Sequence, residues 1–388
     1  MRSKLIFISV ALAMLFAQSA SAQFAEEIET PALANHPLSS NGLDYNPTRL
    51  GGYAEMHYNA PEGGPRQLDF HRFVLLLEKE ISHWIRFQSE VELEHALVNE
   101  GQGELELEQA FLDFTLSKEL HSRAGIMLVP LGRINGNHEP NGFYGVERPD
   151  LDKHIIPSTF FAEGAGVVYK TAGWKLEGYL MAGLNAAGFA AKDGLRGGRQ
   201  KGYKTDAESL SSAFRVEKSN PGLAMGVSLY QGNAKTAQVA QDAAAAGVTL
   251  DRVEVQLVAV DLDWKQGPWG LRAEAAQGII GNSNLLNEIY GQAAPSSMGG
   301  AYLEPAYQWP LAEEQAIGIF FRLEAVNPQQ GMQGGNVNAG NNFTSQRWGV
   351  NYWPHPQVAV KGDVGRKTSQ LEDAEPRSEL NLGLGWVF

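Results

Sequence analysis

The 388-residue chain contains no cysteine. Disulfides, thiolate metal centres and cysteine nucleophiles are therefore excluded, and whatever holds the fold together is non-covalent. Basic charge is also scarce, with 31 Lys and Arg against 44 Asp and Glu. Nucleic acid is argued against, because phosphate backbones need a basic face. No uninterrupted apolar run of about 18 residues follows Phe16, so no membrane helix is predicted. Catalytic templates are missing too: there is no G-x-S-x-G elbow, no H-E-x-x-H and no phosphate-binding loop. Carboxylates two apart, such as Glu90 and Glu92, could imitate a glycosidase pair. Repeated along several segments, they read more simply as a wetted surface.

What is present starts at the N-terminus. Arg2 and Lys4 precede a short apolar stretch, Leu5 to Phe16, and the small-x-small sequence Ala20-Ser21-Ala22. This order predicts a secretory signal peptide over residues 1–22, too short to be an anchor. Removing it takes away 2 basic residues and leaves 29 against 44 acids, a net of −15. Residues 23–47, acidic and broken by prolines, are expected to form an irregular periplasmic leader.

From Thr48 onward, segments with period-2 alternation recur between turn-forming residues. They number sixteen, beginning with Arg49–Asn59 and Gln67–Glu80 and ending with Gln357–Lys367 and Pro376–Phe388. About ten tilted residues suffice to cross a bilayer as a strand. The connections alternate strictly between short ones, such as Lys118–Glu119 and Pro354–Pro356, and long ones, such as Gly132–Thr159 and Ala186–Ser209. Short turns at one end and long loops at the other describe an up-and-down membrane barrel. The expectation is an all-β fold, a transmembrane antiparallel barrel of about 16 strands over residues 48–388.

Single segments agree. Ile85, Phe87, Val91 and Leu93 lie opposite Arg86, Gln88, Glu90, Glu92 and Glu94. In the last segment Leu380, Leu382, Leu384, Trp386 and Phe388 lie opposite Glu379 and Asn381, as they would with lipid on one side and water on the other. Contrast is weak in Val248–Lys265 and in the apolar centre of Gln67–Glu80. One passage, Thr236–Val248, is rich enough in alanine to predict a short helix in a loop.

The longest connection, Gly132–Thr159, is irregular, charged and aromatic, and loops of that length are commonly functional. Folded inward, it would narrow the lumen and set the local field. Arg133, Glu147, Arg148, Asp150, Asp152 and Lys153 are the expected constriction residues, with Arg72, Arg86, Glu90 and Glu92 on the wall. His138, Glu139 and His154 could be read as metal ligands, but no spacing locks them together, and neither metal nor cofactor is expected. The basic cluster Lys192, Arg196, Arg199, Lys201 and Lys204 reads as a solvated outer loop or as a steering patch.

The run Phe111–Tyr169 resembles the phosphate-selective porins O and P. The resemblance is carried by Ala124, Gly125, Pro130 and Gly132, by the box Val146–Pro149, and by Pro157–Gly166. Trp348–Gly365 is similar to that family's penultimate hairpin. The resemblance implies a homotrimeric channel in the outer membrane of a Gram-negative bacterium, in contact with lipid, small solutes and ions. A strand closing on Phe resembles the ending that the barrel-assembly machinery reads, which makes Trp386 and Phe388 the expected assembly signal. Phosphate selectivity transfers poorly, because selective members line the lumen with arginine and lysine where this chain has Glu90, Glu92 and Glu94. The expected function is passive diffusion of small polar or charged solutes. The alternative is a secreted β-rich carbohydrate-binding or hydrolytic protein.

Overall fold

The computed structural model describes residues 48–99 and 102–388. The expected signal peptide and leader lie outside the described residues. Sixteen strands form one closed antiparallel barrel in which each strand pairs with its neighbour in sequence and β1 pairs with β16. They are β1 (Thr48–Pro61), β2 (Gln67–Ser82), β3 (Ile85–Glu94), β4 (Leu105–Thr115), β5 (Leu120–Leu128), β6 (Phe161–Thr171), β7 (Trp174–Ala182) and β8 (Leu210–Asn220). The second half comprises β9 (Leu223–Asn233), β10 (Glu254–Gln266), β11 (Trp269–Ile280), β12 (Ser297–Pro310), β13 (Ala316–Gly331), β14 (Phe343–His355), β15 (Val358–Ser369) and β16 (Arg377–Val387). All sixteen expected segments are strands.

Period-2 sequence becomes a two-faced wall. The outer face is apolar and left open: Leu176, Phe214, Leu303, Ile319, Val364 and Leu382 are all exposed. A continuous belt of this kind is stable only against lipid. Trp84, Trp174, Trp269 and Trp309 are exposed beside the short turns, where amphipathic rings suit a membrane interface. Among the described residues no helix is long and apolar enough to cross a membrane.

The inner face carries charged groups on most strands and an apolar patch near the long-loop ends of β7 and β10 to β12. Glu55, Arg72, Glu90, Arg322 and Asp363 point inward and are buried. In that patch Tyr179, Met181, Val255, Leu257, Ile280 and Met298 pack against loop residues that include Leu131, Leu151, Ile155 and Phe189. This explains the weak contrast of the tenth segment, whose strand starts at Glu254 rather than Val248. There Val255 and Leu257 face inward while Glu254 and Gln256 face out. In β2 the inward Val74 and Leu76 pack on Tyr53.

The predicted loop helix is present as α2, Ala237–Ala245, following α1, Leu151–His154. Thr236 caps it by accepting from the Val239 amide at 3.2 Å. A third helix, α3 (Ser283–Tyr290), was not expected. Its Tyr290 hydroxyl donates to Asp242 at 2.7 Å, tying it to α2.

The seam ends on the chain terminus. Gly52 N donates to Phe388 O at 2.9 Å and Phe388 N donates to Gly52 O at 2.8 Å. The Phe388 ring stacks on Phe73, with centroids 5.8 Å apart. It also covers Gly52 so closely that a Cβ there would lie 2.8 Å from the ring. Deleting Phe388 should therefore cut the yield of assembled barrel severalfold, read as the fraction of heat-modifiable band after membrane extraction. Channels that do assemble should keep their conductance. An unchanged folded fraction would show that the seam does not depend on this residue.

Candidate functional site

The long loop between β5 and β6 has little regular structure, so its peptide groups need partners from elsewhere. Inner-face side chains supply them. Arg322 on β13 donates to the carbonyls of Tyr144 at 2.6 Å and Glu147 at 3.3 Å. Lys361 on β15 donates to those of Phe143 and Gly145, at 3.0 and 2.9 Å. Arg272 on β11 reaches Gly142 O at 2.7 Å, and Arg72 on β2 reaches His138 O at 2.6 Å. Carboxylates accept in the other direction. Asp363 takes the Val146 amide at 2.7 Å, Glu324 that of Leu151 at 3.3 Å, and Glu274 that of Arg133 at 3.1 Å. Gly132 turns at φ +70°, and a Cβ there would meet the Glu274 carboxylate and Ile156.

The expected constriction residues are distributed over these contacts. Arg133 pairs with Asp263 at 3.1 Å, and Asp150 with Lys367 at 2.9 Å. Glu147 accepts from Asn59 at 3.0 Å and lies 3.2 Å from His57. Burial alone would raise its pKa, but the His57 contact outweighs that and holds the carboxyl below the usual range. Arg148 donates to the Thr159 hydroxyl at 3.1 Å. Lys153 is exposed, whereas Asp152 is buried with neither carboxylate oxygen hydrogen-bonded. Burial, reinforced by the charge of Glu324, pushes the Asp152 carboxyl well above its ordinary pKa. Asp152 is thus packed in the interior, where burial disfavours its charged form.

On the wall, Arg72 pairs with Glu55 and lies 3.7 Å from Glu92. Glu90 accepts from Tyr53 at 3.0 Å and from Gln109 at 2.6 Å. Arg86 sits apart from this group, with Glu78 at 3.5 Å. The three histidine-loop candidates for metal binding separate. His138 faces Glu90 and Glu108, while His154 lies beside Asp150.

The basic cluster of the following long loop is not simply solvated. Arg196 donates to Ser158 O, Arg199 to Thr159 O, and Lys201 pairs with Glu104 and Glu106. Burial, together with repulsion from Arg199 and Arg148, lowers the Arg196 pKa to about 10. Three guanidinium groups therefore gather at the upper end of the loop, within electrostatic reach of Glu94, Glu106 and Glu108.

Sequence reasoning missed the residues that hold the loop: Arg272, Arg322, Lys361 and Asp363. Each sits at an inward position of an alternating strand, which marks its face but not its partner. Replacing Arg322 with Ala would leave Glu304, paired at 2.6 Å, and Glu324 as uncompensated buried acids. The expected loss is about 3–5 kcal/mol, with larger and noisier single-channel conductance. Urea unfolding and planar-bilayer recording would check this, and wild-type values in both would remove Arg322 from its anchoring role.

A family model described as phosphate-selective porin O and P matches residues 51–311. An uncharacterized protein of Aquifex aeolicus (strain VF5) is 28% identical over 358 residues, covering 87% of this chain and 79% of its own. The anion-selective porin from Comamonas acidovorans superposes with a TM-score of 0.57 at 9% identity, over 88% of this chain and all of that one. A trimer form of OmpT from Vibrio cholerae superposes with a TM-score of 0.55 at 10% identity, over 89% of this chain and 100% of that one.

Proposed function

The chain belongs to the phosphate-selective porin O and P family, a channel protein of the Gram-negative outer membrane and not an enzyme, and from that premise we propose that small polar and charged solutes pass through it by passive diffusion. The observation that carries this reading is the bonding of one loop to inner-face residues on nearly opposite strands of the closed barrel, from Arg72 on β2 to Arg272 on β11. A segment held at both sides of a barrel lies across its lumen and reduces the open cross-section. The solute then passes between loop and wall rather than through an empty cylinder. Below the loop, a cavity of about 450 Å³ opens among the short turns, bordered by Tyr144, Asp263, Arg272 and Glu304.

Opposed charges at the narrow level would order the passage. Arg148, Arg196 and Arg199 stand on one side, and Glu92, Glu106 and Glu108 belong to the facing wall. Such a transverse field orients dipolar solutes and hinders apolar ones, which cannot offset the ordering of water. Phosphate selectivity is not part of the proposal, since the acids of β3 and β4 interrupt any continuous basic track. Assembly as a homotrimer is supported by the trimer form of the Vibrio cholerae protein. Trp386 and Phe388 remain the proposed assembly signal. A secreted sugar-binding or hydrolytic protein, the alternative raised by the paired acids, would not need a lipid-facing belt.

Reversal potentials in planar bilayers under a salt gradient test this. Changing Arg148, Arg196 and Arg199 together to Ala should move the reversal potential toward cation preference and raise conductance. Channels with unaltered selectivity and conductance would remove these arginines from the solute path. Absence of any conductance in the wild-type barrel would overturn the diffusion reading itself.

A further inference from the structure

One group of side chains behind the loop is unexplained by solute passage. His138 from the loop meets Glu90 on β3 and Glu108 on β4, and all three are buried, at 3%, 3% and 1% exposure. His138 Nε2 lies 3.3 Å from Glu90 Oε1 and 3.2 Å from Glu108 Oε2. Yet neither His138 Nε2 nor Glu108 Oε2 makes a hydrogen bond of acceptable geometry. Buried polar atoms without partners are rare, and they signal a missing ion or water.

The backbone fixes which ring nitrogen faces the acids. His138 Nδ1 lies 3.1 Å from the carbonyl of Asn135, so that nitrogen carries the hydrogen. Nε2 then points at two carboxylate oxygens, a gap that either an imidazolium proton or a bound cation would bridge. The three candidate ligand atoms all lie within 4.8 Å of one another. A tetrahedral metal with bonds of about 2.0–2.1 Å has ligand-to-ligand edges of roughly 3.3–3.4 Å. The observed 3.2 and 3.3 Å are close to those edges.

The surroundings match what metal ligands need. Ligating histidines donate their other ring N–H to a carbonyl or carboxylate, and ligating carboxylates are themselves hydrogen-bonded. Here the Nδ1 partner is Asn135 O, and Glu90 receives Tyr53 at 3.0 Å and Gln109 at 2.6 Å. Arg72 fixes the His138 carbonyl at 2.6 Å, which sets the backbone from which the imidazole projects.

We propose that Glu90, Glu108 and His138 bind one divalent transition-metal ion, with Zn²⁺ as the ion best suited to one imidazole and two carboxylates, and that this ion latches the loop to the wall. One imidazole and two carboxylates suit Zn²⁺ better than a hard cation such as Ca²⁺, which takes six to eight oxygens. The ion joins two adjacent strands to a loop residue about thirty positions further on, so it would act on loop position rather than on chemistry. A second grouping, Asp69, His71 and His95, also gathers three ligands. There Asp69 Oδ2 is satisfied by His71 and His95 at 3.2 and 2.8 Å, so that cluster is complete without an ion.

The test is equilibrium dialysis of the detergent-solubilised full barrel against Zn²⁺, with bound metal counted per chain. Thermal unfolding followed by heat-modifiable migration provides the second readout. Wild type should bind one tight equivalent and unfold at a higher temperature with Zn²⁺, reversibly on chelation. H138Q and E108Q should each lose that equivalent and its thermal shift, while H71A should keep both. If a variant fails to assemble, E90Q and the metal-dependent protection of the wild-type loop from protease replace it. Three results would overturn the proposal: no tight equivalent in wild type, retention of the metal in H138Q, or its loss in H71A alone. A Zn²⁺ equivalent that does not alter loop proteolysis would overturn the latch.

Discussion

A peptide group inside hydrocarbon has no water to complete it, and each one left unpaired costs several kcal/mol. That single constraint closes this barrel. Every strand satisfies its backbone through two neighbours, and the last pair is made by the first and last strands. The seam finishes at Gly52 and Phe388, so the end of the chain is a structural element. A small residue opposite the terminal ring is what lets the two backbones meet there. Once the wall is closed, its outward side chains must be apolar, and polar groups are driven inward.

The inward side then has the opposite problem. Charges gathered in a confined lumen are costly unless partnered, and an irregular loop brings peptide groups that also want partners. The two needs offset each other. Arg322 is neutralised by Glu304 and also donates to two loop carbonyls. Arg215 is paired with Asp261 at 2.6 Å, and Arg347 with Asp363 and Glu379. Where the loops instead present Leu131, Leu151 and Ile155, the wall answers with Val255, Leu257 and Met298. Part of the interior is therefore packed like the core of a soluble domain.

This division explains what could be read from one sequence. Alternation appears wherever lipid and polar interior differ, which is why all sixteen strands were legible, down to the inward Glu379 and Asn381 of the closing strand. It fades where both sides are apolar, as in β10, and the expected start at Val248 was six residues early for that reason. The alanine run of α2 announced itself, whereas "SNLLNEIY" of α3 has no such composition. The charged loop was visible as a candidate by length alone. Its anchors were not, because Arg322 and Lys361 lie more than 170 positions from the carbonyls they hold. His138 shows the same limit: its carboxylate neighbours on β3 and β4 meet it only once the loop folds against the wall.

The acidic total of the chain is a poor guide to what the lumen does. At physiological salt, charges separated by more than about 8 Å are largely screened from one another. Acids already bonded to arginines, such as Asp261 and Asp363, contribute dipoles rather than free charge. What remains at the proposed narrow level is local: guanidinium groups from two loops on one side and the acids of β3 and β4 on the other. Selectivity in such a site is set by which member of that pair of surfaces a solute must strip of water to pass. The balance is thus fixed by a few residues within one Debye length, and the sign of the whole protein does not decide it.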